Sequence, residues 1–165
     1  MNKYNEVMKK VQNKEPIKAV HYVKLEHDSD KCRARIMKGN GTKLCRDFLK
    51  ENQNISLVEA PYIDCEFSTR NLGNRVGFAN LYMRLGCGDI DVILVDDIHE
   101  ICSSFADTLT TVQMYDNLGA IIYDIKGEQY IQGIQLGVGD EIIDETKYYR
   151  CVADKWKIEP SKTTE

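Results

Sequence analysis

Residues Ile17–Leu25 read Ile-Lys-Ala-Val-His-Tyr-Val-Lys-Leu, a nearly continuous apolar run. A strand of this kind offers little polar surface to water, so it suits a sheet covered on both faces. Shorter apolar runs follow at 55–63, with Asp64 at its end, at 90–95 and at 120–125. Stretches of helical spacing separate them. Residues 42–52 place Leu44, Phe48 and Leu49 on one helical face, and 75–86 carry Phe78, Leu81, Tyr82 and Leu85, closed by Gly86. In 104–119, Ser104 and Asp107 form a capping-box-like pair, Phe105, Leu109, Val112 and Leu118 form a stripe, and Gly119 ends it. Strands alternating with helices predict an α/β domain: a mainly parallel sheet of four to five strands with helices on both faces.

The rest of the chain fits around that unit. Residues 1–16 read as a polar arm or loose helix, and 17–138 as the α/β domain. Within it, 128–138 suggest a hairpin or edge strand around Gly127 and Gly133. A last helix over 139–157 would pack Ile142, Tyr149, Val152 and Trp156, and 158–165 form a tail. A chain of 165 residues is one domain's worth and buries a core without disulfides. None of its 6 cysteines forms a CxxC pair, so zinc-finger spacing is absent. The opening residues lack the apolar core of a signal peptide, and no stretch approaches the ~18 apolar residues of a membrane span. The expectation is a cytoplasmic protein with reduced cysteines and no membrane contact.

Charge is unevenly placed. The first 50 residues hold 13 Lys/Arg against 6 Asp/Glu, whereas the rest holds 9 against 20. The basic third is either a contact surface or a solvated face. The net charge of −4 does not favour nucleic acid by itself.

In open parallel sheets, ligands bind beyond the carboxyl ends of the strands. Those ends read Lys24-Leu-Glu26-His27-Asp28, Asp64-Cys-Glu66 and Asp96-Asp-Ile-His-Glu100. Glu26, Asp64 and Asp97 are the candidate ligands for a hard cation such as Mg²⁺, with Glu66, Asp96 and His99 nearby in sequence. The plainer alternative is a rim of solvated acids. No other cofactor is expected. His21 reads as a packed core or edge histidine, and His27 as a partner for Glu26. Cys65, Cys87 and Cys102 read as small hydrophobes, with a reactive thiol as the alternative. Gly86-Cys-Gly88 lacks the rest of a dinucleotide fingerprint and reads as a turn.

Three blocks in register carry a resemblance. The first is Tyr22-Val-Lys-Leu-Glu-His-Asp-Ser-Asp30, and the second is Tyr62-Ile-Asp-Cys-Glu-Phe-Ser-Thr69 followed by Arg75-Val-Gly-Phe78. The third is Ile90-Asp-Val-Ile93, His99-Glu-Ile-Cys-Ser-Ser104 and Asp107-Thr-Leu-Thr-Thr-Val112. Over roughly 17–125 the chain resembles the catalytic domain of serine site-specific recombinases, the resolvase/invertase family. The resemblance implies a resolvase-like fold, DNA strand exchange through a serine nucleophile, and arginines around the transferring phosphate.

Of the implied site, Tyr22, Asp64 and Arg75 match the family pattern. Glu26 stands at the nucleophile position, Lys24 replaces the arginine before it, and Glu100 and Ser103 replace the two arginines after the third strand. A carboxylate ~4 Å from a phosphate repels it by ~1 kcal/mol in water and by ~4 near a protein surface. Losing clamps removes transition-state stabilisation as well. Ser29 is three residues past the required position and reads better as a turn residue. No helix-turn-helix or basic arm is visible, so DNA binding is expected to be weak or absent.

Three readings stay open. One is an inactive pseudo-recombinase that works by protein contact, as a homodimer or with an active recombinase. Another is a metal-dependent phosphoesterase using the acidic rim. The third is a residual DNA-binding recombinase. The resemblance implies a bacterial mobile-element setting for the first.

Overall fold

The computed structural model describes residues 3–25, 30–65, 75–98 and 118–131. The expectations for Glu26, His27, Ser29, Glu66, His99, Glu100, Cys102 and Ser103, for most of 104–119, and for the helix at 139–157 fall outside the described residues.

The elements run α1 (Lys3–Asn13), β1 (Ile17–Leu25), α2 (Asp30–Lys38), α3 (Lys43–Glu51), β2 (Ile55–Leu57), β3 (Tyr62–Cys65), α4 (Val76–Leu85), β4 (Val92–Val95), β5 (Ile121–Asp124) and β6 (Gln129–Ile131). The sheet order is β2-β1-β4-β5-β6, with β3 also paired to β1. All pairings are parallel except β5 with β6. The fold is α/β with a mostly parallel sheet, as the apolar runs predict, and the described residues form six strands where four to five were expected.

The expected single strand at 55–63 is two strands, both on β1. Ile17 pairs with Ile55 and Tyr22 with Tyr62, so the second strand gains two residues of chain relative to β1 between them. Pro61 lies in that gap, and a proline cannot donate to a ladder. Val58 keeps the interruption anchored by donating its amide to the Ala19 carbonyl at 3.0 Å.

The period-2 alternation of side chains sorts the sheet into two packed faces. Val20 and Tyr22 of β1, Ile93 and Val95 of β4, and Ile122 of β5 pack with Phe78, Leu81 and Leu85 of α4. Ile17, Ala19, Val92, Leu94 and Ile121 face the other way, against Val7 of α1 and Cys45 of α3. Each fully buried Val, Leu or Ile is worth about 1.5–3 kcal/mol. The central strands therefore supply much of the stability.

Helix α3 starts at Thr42, whose hydroxyl accepts the Cys45 amide at 3.3 Å. Its buried stripe is Cys45 with Phe48 and Leu49, and the expected Leu44 is exposed instead. Likewise Phe78, Leu81 and Leu85 of α4 are buried, but Tyr82 faces water. In both helices the buried stripe is narrower than the sequence suggested. The polar N-terminal stretch is a helix that buries Val7 and is also held by the Asp91 carboxylate. Asp91 accepts from Lys10 Nζ at 2.8 Å, from Lys3 Nζ at 3.1 Å and from the Lys18 amide at 3.0 Å. Among the described residues, no helix is long and apolar enough to cross a membrane.

Candidate functional site

The carboxyl end of β1 is the centre of the site. Lys24 lies opposite Asp64 in the parallel register, and Tyr22 lies opposite Tyr62. Side chains two apart share a face, so Tyr22, Lys24 and Asp64 all belong to the α4 side of the sheet.

There the Asp64 carboxylate accepts three hydrogen bonds. Its Oδ1 takes the Gly77 amide at 2.8 Å. Its Oδ2 takes the Phe78 amide at 2.8 Å and the Tyr22 hydroxyl at 2.8 Å. The amides belong to the first turn of α4, where unpaired N–H groups carry a partial positive charge. Arg75, the N-cap of α4, makes no side-chain capping bond, so Asp64 caps the helix from the end of β3. Gly77 permits the approach: a Cβ there would lie 2.6 Å from the Ile63 carbonyl oxygen. Tyr22 also meets Phe78 edge-on, with ring centroids 6.2 Å apart.

Tyr22 and Asp64 thus come together, and Arg75 begins the helix that Asp64 caps. Tyr22 and Asp64 are each 4% exposed, and Arg75 is 0% exposed. Lys24 is half-buried beside them.

The remaining carboxylates at this edge do different work. Asp96, just past β4, lies on the α3 side. Its Oδ1 accepts the Thr42 hydroxyl at 2.9 Å and contacts His21 Nε2 at 3.0 Å. That contact makes Nε2 the donor when the imidazole is neutral. Nδ1 then faces Gly41, whose φ is +111° and where a Cβ would sit 2.7 Å from that nitrogen. His21 is the packed core histidine that the sequence suggested. Burial, reinforced by Asp96, pushes the neighbouring Cys45 thiol up to about 12, so it stays protonated. Cys65 is buried and contacted by the Arg33 guanidinium, whereas Cys87 is exposed.

Asp97 lies away from Asp64, with Lys126 Nζ 3.8 Å from its carboxylate. Its near neighbour is Asp124 at the end of β5, a buried acid that the sequence did not single out. Burial, opposed by the Gly127 amide and reinforced by the charge of Asp97, holds the Asp124 carboxyl above its ordinary value. Among the described residues no three His, Cys, Asp or Glu side chains converge in a way that would hold a metal ion. Asp64 in particular already uses both oxygens to fix α4.

No family model matches this chain, and no curated relative matches it. Among the solved structures that share its fold are two recombinase domains. The N-terminal catalytic domain of TP901-1 integrase superposes with a TM-score of 0.56 at 13% identity, covering 85% of this chain and 94% of that one. A resolvase family site-specific recombinase from Streptococcus pneumoniae gives 0.55 at 17% identity, covering 86% and 88%. The chain therefore has the fold of a serine recombinase catalytic domain.

Proposed function

We propose that this chain is a recombinase-like domain that no longer cuts DNA and acts through contact with another protein, either a second copy or an active recombinase. One observation carries the reading. The residues that match the recombinase pattern are all buried, and two of them, Tyr22 and Asp64, hold α4 on the sheet, so folding alone gives those two a use. The residues that would do the chemistry do not match: Glu26 replaces the nucleophile, Lys24 an arginine, and Glu100 and Ser103 two more. A protein kept for its shape and released from its reaction would show this division.

A second reading has its own support. Helix α2 carries Lys31, Arg33, Arg35 and Lys38 against a single acid, Asp30, and Lys31, Arg35 and Lys38 are exposed. A basic helix beside the carboxyl edge suits a regulator that occupies DNA without cutting it. The metal-dependent alternative draws less support, because Asp64 and Asp96 are both committed to hydrogen bonds within the fold.

The test is a fluorescence-anisotropy titration against labelled duplex DNA at low salt, with and without Mg²⁺, run beside sedimentation velocity. The proposal expects no saturable DNA binding at tens of micromolar, together with self-association or capture of a recombinase. Binding that falls steeply with salt would instead favour the DNA-occupying regulator.

A further inference from the structure

Helix α4 breaks the pattern set by the other helices. A surface helix buries one stripe and turns charge to water on the opposite side. Glu6 and Lys9 of α1, Lys31 and Arg35 of α2, and Lys43 and Glu51 of α3 follow this rule, and all are exposed. Helix α4 carries a single charged residue, Arg84. Its inner stripe is Gly77, Phe78, Leu81 and Leu85. With about 3.6 residues per turn, the line opposite that stripe runs through Val76, Ala79 and Met83. All three are exposed, Val76 by 70% and Met83 by 76%. Those two are the most exposed large hydrophobic side chains among the described residues. One exposed apolar residue needs no explanation, but two on the same charge-free line form a patch.

Charge decides what fits the patch. A nucleic acid or a charged protein surface finds no free counter-charge there, because Arg84 is already held by Glu59 at 3.1 Å and by Asp89 at 3.0 Å. The matching surface is another apolar, charge-free helix. Among the described residues, α4 itself is the helix that meets this description. The line is also self-complementary. When two copies of α4 lie antiparallel about a two-fold axis between positions 79 and 80, Val76 meets the partner's Met83 and Ala79 meets the partner's Asn80. The small Ala79 beside the axis lets the helices approach closely.

We infer that the outward line of α4 is the surface through which two copies of this chain pair, antiparallel about a two-fold axis. The pairing rests on the proposed function, which already calls for protein contact; it names the surface and takes the second copy as occupant. A helix of this length spans about 15 Å, so the contact falls at the small end of specific interfaces. A dissociation constant of about 10–100 μM is expected.

Sedimentation velocity of the full chain from about 5 μM to about 1 mM tests the pairing. The expected result is a reversible monomer–dimer equilibrium. Met83→Glu sets a carboxylate against an apolar side chain at both ends of the contact and should weaken pairing by about tenfold or more. The double variant Val76→Lys, Met83→Glu sets opposite charges against each other across the axis and should recover most of that loss. Both positions face water in a single copy, so both variants should melt with the parent. Monomer at every concentration would overturn the pairing and leave a different protein as the occupant of α4. Pairing that Met83→Glu leaves unchanged would overturn it too, as would a double variant that pairs no better than the single one. Each of these outcomes is separate from the proposed loss of DNA cleavage, which a covalent protein–DNA adduct would overturn whether or not the copies pair.

Discussion

Replacing Asp64 by Asn tests whether the site's central carboxylate is a structural cap. The change is nearly isosteric, but asparagine has one acceptor oxygen and a donating NH₂ group. If the amide oxygen takes the place of Oδ2, it still accepts from Phe78 and Tyr22. The NH₂ group then faces the Gly77 amide, donor against donor. An unsatisfied buried amide costs about 1–3 kcal/mol, and the two surviving bonds lose their charge assistance. The sum is about 3 kcal/mol. Tyr22→Phe removes a single donor and should cost about 1 kcal/mol. Urea denaturation reads both. With a slope of roughly 1–3 kcal/mol/M, the Asn variant should unfold at a midpoint lower by about 1–3 M with the slope unchanged. An Asn variant within about 0.5 kcal/mol of the parent would refute the capping role.

Two further predictions follow from the buried acids. Asp124→Asn should raise the melting temperature at neutral pH. The folded Asp124 holds its proton above its ordinary value, so the native state binds more protons than the unfolded chain in that window, and stability falls as pH rises through it. Comparing melting curves of parent and variant from acid to neutral pH checks this, since the gap should close in acid. Asp91 behaves oppositely. Burial pushes its carboxyl up, but Lys10, the Lys18 amide and Lys3 outweigh burial and hold it below the ordinary value. Its stabilisation is therefore present above the ordinary carboxylate range and lost as pH falls through the lowered value. Asp91→Asn should cost about 2 kcal/mol and loosen α1, seen as faster hydrogen exchange around Val7.

The sheet was legible where burial is two-sided. The strands β1, β4 and β5 are apolar at nearly every position, so no choice of face was needed to find them. Helix α2 was not legible, because Asp-Lys-Cys-Arg-Ala-Arg-Ile-Met-Lys buries only Ile36 and gives almost no periodic signal. The second strand misled because its register shift depends on one proline rather than on hydrophobicity. Leu44 and Tyr82 misled because apolar residues at helical spacing outnumber the buried places available to them.

The site was half legible. Tyr22, Asp64 and Arg75 could be named from the resemblance. That Asp64 is a helix cap could not, because its donors lie 13 and 14 residues away in sequence and meet it only after α4 folds back on β3. The separate tasks of Asp64, Asp96 and Asp97 were invisible for the same reason. Consecutive acids at strand ends read as one cluster, yet the pleat sends neighbours to opposite faces.

A recombinase frame that survives without its cutting chemistry should leave DNA whole. The most direct test incubates the protein with supercoiled plasmid, quenches with detergent and assays for DNA covalently linked to protein. Intact plasmid and no linked protein are expected, for the parent and for Ser29→Ala alike. A detergent-resistant adduct formed by the parent and abolished in Ser29→Ala would contradict it, because Ser29 would then be a working nucleophile despite Glu26.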